Sequence, residues 1–264
     1  MSITVMKFLD KYRDSILFVF LFFIVGQILD NFILIPVMHK VWPAGTFVIG
    51  NDIYKVLEFA MYFALNAYLF KQKVYLKVDF TKKTIIGMSL IIILSIALTI
   101  YKPSRGADGA VLMLLTAIGE EYINRGLITG KIATVLFEGK KSYLKVFGIL
   151  IISGIIFGLY HFSNVRVQPL ANTLAQMIQA TGLGAILTAL YLRTGSLIVP
   201  IMVHFIWDYS ITIQEGVKQI TAGKPYFKES IVICLVFILI AVLITRHINK
   251  LRLIDKVMKT NDEK

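Results

Sequence analysis

The sequence is poor in cysteine and in charged residues. Cys234 is the single cysteine among the 264 residues, which excludes a fold held together by intrachain disulfides. Charged residues make up 17% of the chain, against roughly 25% in an ordinary soluble domain. Because a soluble protein of this size needs more polar cover, the composition excludes a soluble enzyme, a disordered chain and a free nucleic-acid binder.

Apolar residues are abundant instead, at 57% of the chain with a mean hydropathy of +0.74. A membrane-spanning helix needs about 20 mostly apolar residues. The sequence therefore predicts an all-α polytopic membrane protein with about eight transmembrane helices. Their approximate positions are 15–38, 53–70, 84–101, 110–130, 144–162, 174–192, 195–213 and 230–247. No small-residue cleavage site follows the first run, so it is predicted to be a retained span and not a signal peptide.

Basic residues outnumber acidic ones, 28 to 16. In an eight-span arrangement, 19 of these 28 lie on the side of the two termini and seven on the other side. Since cytoplasmic loops carry the excess of Lys and Arg, both termini are predicted to be cytoplasmic. The basic tail at 246–264 is predicted to rest on anionic lipid as a partly helical stretch.

The fourth predicted span contains Glu120, Glu121 and Arg125. An ionisable side chain at membrane depth costs at least about 2.5–3.5 kcal/mol, so each one calls for a reason. Residues four apart share one face of a helix, which predicts that Glu121 pairs with Arg125 while Glu120 points elsewhere. Glu120 would then be available for chemistry. The alternative is that all three form a buried ion network that holds helices together.

Two further predicted spans carry a histidine one turn from another notable residue. His161 follows Phe157 by four positions near the end of the fifth span, and His204 precedes Asp208 by four in the seventh. Each pair taken alone also fits a structural role, either a histidine bonded to a backbone carbonyl or a helix-stabilising His–Asp pair. Together with Glu120 they form a set that can activate water for hydrolysis. The same types also suit Zn²⁺, although no His-Glu-x-x-His is present.

Other features of the spans receive a structural interpretation. Lys55 is expected to pair with Glu58 in the second span. Asp30 and Asn31 are expected to mark a tilt or a water-facing patch of the first. Two pairs of glycines spaced by four are expected to let a neighbouring helix approach closely, and they are Gly154 with Gly158 and Gly126 with Gly130.

The polar residues form three motifs in a fixed order along the chain. They are Glu120-Glu121…Arg125, Phe157…His161 and His204…Asp208. In this order they resemble the motifs of the CPBP family, the CAAX proteases and bacteriocin-processing enzymes, also called the Abi family. The resemblance covers about residues 106–213. It suggests three parts, with transmembrane helices 1–3 at 1–105, a catalytic core at 106–213, and a last transmembrane helix with a basic tail at 214–264.

This resemblance implies an intramembrane endopeptidase that cleaves a hydrophobic or membrane-bound peptide. Glu120 and His161 would hold and activate the attacking water. His204 and Asp208 would stabilise the oxyanion or position the carbonyl. The supporting residues would be Glu121, Arg125 and Phe157. Family names often say metalloprotease, and a divalent metal such as Zn²⁺ would take Glu120, His161 and His204 as ligands.

The abundance of Lys and Ile and the short loops favour a bacterial cell membrane. The implied substrate there is a bacteriocin, pheromone or other leader peptide, in immunity or quorum signalling. Two alternatives from other classes stay open. One is a membrane scaffold or immunity protein that binds partners without cutting them. The other is a transporter in which the same side chains relay protons or bind a cation.

Overall fold

A computed structural model describes residues 15–42, 47–137, 140–216 and 226–262. The described residues form nine helices, numbered α1 to α9 in chain order, and no strand. Six basic residues that entered the charge comparison lie outside the described residues, and they are Lys7, Lys11, Arg13, Lys218, Lys224 and Lys264. The helices of the described residues confirm the predicted fold class, which is that of an all-α polytopic membrane protein.

The first five helices include several irregular turns. Their bounds are as follows: α1 is Ile16–Leu29, a π-helical turn at Asp30–Leu34 and Ile35–Val41; α2 is Phe47–Leu65 with a π-helical end at Asn66–Phe70; α3 is Lys82–Tyr101; α4 is Pro103–Glu121, a π-helical stretch at Tyr122–Thr129 and Gly130–Leu136; and α5 is Tyr143–Tyr160 with a 3₁₀ end at His161–Arg166. The last four are α6 at Leu170–Thr194, α7 at Ile198–Glu215, α8 at Phe227–Thr245 and, after a 3₁₀ turn at Ile248–Lys250, α9 at Arg252–Asp262.

Each of the eight predicted spans coincides with one helix from α1 to α8. Five helical stretches within the described residues are long and apolar enough to cross a membrane, namely Leu17–Val41, Lys82–Tyr101, Tyr143–Arg166, Leu170–Thr194 and Phe227–Thr245. The other three helices are α2, α4 and α7, which carry Lys55, the Glu-Glu pair and the His204–Asp208 pair. The count of eight spans stays a prediction, and so does the three-part division of the chain.

The outer helices expose apolar side chains that a bilayer would cover. None of α3 is buried in the described structure, and Ile93 and Ile100 are 61% and 71% exposed. Leu235 in α8 is 62% exposed in the same way. Soluble proteins avoid apolar faces of this extent, whereas lipid chains solvate them without cost.

The interior is organised around α6, which packs against α5 on one side and α8 on the other. A Cβ atom added to Gly154 would lie 2.6 Å from the Thr181 carbonyl oxygen. A Cβ on Gly158 would lie 2.7 Å from the Met177 carbonyl oxygen. Only glycine permits so close an approach, and the predicted helix contact through Gly154 and Gly158 is confirmed.

The second glycine pair faces a different partner. A Cβ on Gly126 would meet Val74 at 3.3 Å, and a Cβ on Gly130 would meet Gln72 at 3.0 Å. Both partners belong to the non-helical stretch between α2 and α3, and Leu197, just before α7, would also lie 3.4 Å from a Cβ on Gly126. The expected close helix contact at Gly126 and Gly130 is therefore wrong, because a non-helical segment occupies that face of α4.

The C-terminal helix α9 is amphipathic, with Leu253, Ile254 and Val257 buried. It packs against α6 and the last turns of α4. Its polar side is tied to the bundle by a salt bridge from Arg252 to Asp79. The tail is thus helical, but its apolar face is covered by protein and is not free to enter lipid. Contact of its basic face with anionic lipid stays a prediction.

Candidate active site

The Glu121–Arg125 pair lies in the centre of the bundle. Both side chains are fully buried, and Nη1 of Arg125 donates to Oε1 of Glu121 at 2.8 Å. Arg125 also donates from Nη2 to the Gly184 carbonyl oxygen of α6 at 3.4 Å. The predicted pairing is confirmed. It neutralises one charge of the Glu-Glu pair and ties α4 to α6.

His204 is held by two carboxylates. Its Nδ1 lies 2.8 Å from Oε1 of Glu121, and its Nε2 lies 3.1 Å from Oδ2 of Asp208. An ionised carboxylate can only accept hydrogen bonds, so both ring nitrogens must donate when both acids are ionised. The arrangement thus favours the imidazolium form of His204, which is a donor and not a base. The predicted His204–Asp208 pair is present, and the bond to Glu121 is an addition to it.

Glu120 points away from its neighbour, as the sequence predicted. Its Oε1 lies 3.4 Å from Nζ of Lys55, and its Oε2 lies 4.0 Å from Nε2 of His204. The residue is 6% exposed, and Oε2 has no hydrogen-bond partner among the described residues. Oε2 of Glu121 is also buried without a hydrogen-bond partner among the described residues, so what distinguishes Oε2 of Glu120 is that it faces Nε2 of His204.

His161 lies at the junction of α5 with its 3₁₀ end. Its Nδ1 is 2.9 Å from the Phe157 carbonyl oxygen. A carbonyl oxygen only accepts, so Nδ1 carries the hydrogen and the neutral ring presents the lone pair of Nε2. The backbone bond expected from the structural alternative is therefore present, and it also prepares the ring to accept a proton.

The Phe157 ring sits between three site residues. Its centroid lies 4.9 Å from that of His161 and 5.5 Å from that of His204, and both rings meet it edge to face. The guanidinium carbon of Arg125 lies 4.0 Å above the ring centroid. Phe157 thus separates the two imidazoles and fixes both of them by packing.

Lys55 belongs to this site, although the sequence interpretation assigned it only to Glu58. The predicted pairing is present, with Nζ 3.0 Å from Oε2 of Glu58. The same Nζ also contacts Glu120, and the hydroxyl of Tyr160 donates to the second carboxylate oxygen of Glu58. The available signal was that Lys55 lies within a predicted span, because a cation at membrane depth needs an anionic partner.

Asp30 is a correction to the sequence interpretation. It is buried, and its carboxylate accepts a hydrogen bond from the Tyr54 hydroxyl of α2 at 2.9 Å. Of the two alternatives, the water-facing patch is therefore wrong at Asp30, whereas a tilt of the first span stays a prediction. The reason is that α2 supplies a hydroxyl donor at this depth, which replaces water.

A zinc site formed by Glu120, His161 and His204 would require changes to this arrangement. A histidine binds a metal through an unprotonated ring nitrogen, whereas both ring nitrogens of His204 face carboxylates. In the described part of the chain, no group of three His, Cys, Asp or Glu side chains is arranged to hold a metal ion. The side chains as they lie do not fit a preformed zinc site, and the Zn²⁺ ligand set stays a prediction from the resemblance.

Comparison with protein families gives the context for this geometry. Residues 104–210 match the family model for type II CAAX prenyl endopeptidases, Rce1-like. The match covers less than half of the chain, and it shows that this segment is similar to the Rce1-like domain. This match confirms the resemblance to the CAAX proteases of the CPBP family, and it supports an intramembrane endopeptidase in general terms. Comparisons with curated proteins and with solved structures returned no match.

The Rce1-like domain covers nearly all of α4 through α7. Every site residue expected from the sequence falls within it, and they are Glu120, Glu121, Arg125, Phe157, His161, His204 and Asp208. Lys55 and Glu58 in α2 lie outside the matched range. The structure therefore brings the motifs of the Rce1-like domain together with an ion pair from the N-terminal helices.

Proposed function

We propose that the protein hydrolyses a peptide bond in a hydrophobic or membrane-bound peptide, using a water molecule activated by Glu120 and His161. The observation that carries the proposal is the buried, unpartnered Oε2 of Glu120 beside the doubly held His204. One side chain of the site can thus accept a proton while another donates hydrogen bonds. General base catalysis next to a fixed donor is the arrangement that peptide hydrolysis requires.

The first chemical step would form a tetrahedral intermediate. Glu120, helped by Nε2 of His161, accepts a proton from water while the water oxygen bonds to the substrate carbonyl carbon. The carbonyl π bond opens, and its electron pair becomes an oxyanion. An N–H of His204 stabilises that charge, because His204 is already held as a donor.

The second step would break the carbon–nitrogen bond. Protonated Glu120 returns its proton to the leaving nitrogen, and the oxyanion electrons re-form the carbonyl as the amine departs. The products are one peptide with a new carboxylic acid and one with a new amine, and the acid then gives its proton to the amine, which leaves a carboxylate and an ammonium group. No further reactant is needed, so atoms and charges balance with water alone.

Asp208 has a positioning role in this proposal. Position 208 of this chain is Asp, and an ionised Asp cannot donate a hydrogen bond to an oxyanion. Its Oδ2 lies 3.1 Å from Nε2 of His204, and its side chain is 23% exposed. Asp208 would hold the imidazole until the substrate oxygen competes for the Nε2–H.

The biological setting is also a proposal. The excess of Lys and Arg on the side of the termini supports a cytoplasmic location for both ends. The composition supports a bacterial cell membrane, where a bacteriocin, pheromone or other leader peptide would be cleaved. Because prenylated proteins are not expected there, the substrate would be recognised by its apolar character and its position in the bilayer.

The test compares membranes that contain wild type, Glu120→Gln or Glu229→Gln by mass spectrometry of small peptides. Glu229 is an exposed acid in the first turn of α8 and serves as the matched control. The expected result is a trimmed peptide with wild type and Glu229→Gln that is missing with Glu120→Gln. Identical profiles for three stably inserted proteins would overturn the proposal and favour the scaffold or transporter alternative.

A further inference from the structure

We propose that Lys55 is a positioning residue of the active site, which holds Glu120 by Oε1 and thereby keeps Oε2 free to act on water. This inference rests on the proposed hydrolysis and adds a residue from outside the matched domain. Lys55 lies in α2, and α2 packs directly against α4. Its side chain is 15% exposed, so its charge requires protein partners.

The contact acts on one oxygen of the carboxylate. Nζ of Lys55 is 3.4 Å from Oε1 of Glu120, while Oε2 faces His204 at 4.0 Å. A carboxylate flanked by two cations is drawn toward both of them. Without Lys55, Glu120 would turn toward His204 and form a direct ion pair. Glu120, the base, would then be bound to His204, which is the donor that the oxyanion needs.

Lys55 is itself fixed in place, as a positioning role demands. Its Nζ lies 3.0 Å from Oε2 of Glu58, which is fully buried, and 5.3 Å from the centroid of the Tyr54 ring. The other oxygen of Glu58 accepts the Tyr160 hydroxyl. Tyr160 directly precedes His161, so the Glu58 carboxylate connects the helix that carries Lys55 to the end of α5 that carries His161.

If Lys55 had only a structural role, an ion pair with Glu58 alone would be enough. The shorter contact of Nζ is the one to Glu58, and it would satisfy the Lys55 charge without Glu120. The structural and positioning roles can therefore be separated. Replacing both members of the pair, as in Lys55→Met with Glu58→Gln, removes one charge of each sign and keeps the charge balance of the cluster.

The experiment uses the full-length protein in reconstituted liposomes and a synthetic peptide carrying the sequence whose cleavage depends on Glu120. The variants are Lys55→Met, Lys55→Arg and the charge-balanced double variant, with Lys40→Met, an exposed lysine of α1, as the control. We expect kcat of Lys55→Met and of the double variant to fall about 100-fold with little change in KM, since misplaced groups cost that much. Lys55→Arg restores most of kcat, and the double variant melts at the wild-type temperature.

Two results would overturn the inference alone. One is Glu120-dependent cleavage that proceeds in Lys55→Met at the rate of Lys40→Met. The other is recovery of the wild-type rate in the double variant, which would show that Lys55 serves only to neutralise Glu58. A different result, in which wild type and Glu120→Gln give the same products, overturns the proposed hydrolysis and the role of Lys55 with it.

Discussion

Glu121 accepts a hydrogen bond from Nδ1 of His204 at 2.8 Å, across the interface between α4 and α7. The second glutamate of the Glu-Glu pair is therefore the one that holds the imidazole. Because the same oxygen also accepts from Arg125, Oε1 of Glu121 is committed to structure, while Oε2 of Glu121 has no hydrogen-bond partner among the described residues. Adjacent carboxylates thus have separate tasks, and Glu120 is left to react.

The two glutamates are expected to differ in their effect on stability. Glu121→Gln removes the charge that Arg125 and His204 share, and stranding a buried cation costs about 3–5 kcal/mol. We expect a clear loss of thermal stability in detergent for Glu121→Gln and a much smaller one for Glu120→Gln. Thermal unfolding of the purified variants beside Glu229→Gln measures this difference, and equal melting temperatures for the two glutamate variants would contradict it.

The α5–α6 contact offers a matched pair of glycine substitutions within one helix. In Gly154→Ala the new methyl group would meet the Thr181 carbonyl oxygen, whereas a Cβ on Gly148 has no atom within 4 Å. Overpacking of this kind costs about 1–3 kcal/mol. We expect Gly154→Ala to lower thermal stability and to slow cleavage, because α5 also carries Phe157 and His161. Gly148→Ala should do neither, and a loss of equal size there would refute the contact.

Metal removal separates the water mechanism from a zinc mechanism. Since both ring nitrogens of His204 are engaged by carboxylates, we expect cleavage to continue after treatment of the liposomes with a strong chelator. Product formation is measured by mass spectrometry before and after treatment. A loss of cleavage that added Zn²⁺ restores would instead support the ligand set Glu120, His161 and His204.

The single cysteine makes the orientation of the chain testable. In a Cys234→Ala background, new cysteines at the exposed positions Lys77 and Arg166 would lie on opposite sides of the membrane. We expect a membrane-impermeant maleimide to label position 166 in intact cells and position 77 only after permeabilisation. The reverse pattern would place the termini outside and contradict the orientation inferred from the basic residues.

Much of the site was predictable from spacing along single helices. The Glu121–Arg125 and His204–Asp208 pairs each join residues four apart, a distance that the helix itself sets. Lys55 and Glu58 were paired correctly for the same reason, at a spacing of three. The link from Lys55 to Glu120 was not predictable, because 65 residues separate them and only the packing of α2 on α4 brings them together.

The sequence by itself determined the fold class of the protein and which residues make up each motif. The reason is that the length of an apolar run and the spacing of polar residues are both properties of a single helix. Only the tertiary structure decided that Asp30 is buried against Tyr54 and that Gln72 covers Gly130. It also decided which glutamate binds His204 and which one Lys55 holds. These outcomes depend on distances between side chains of different elements, which are set by how closely the helices pack.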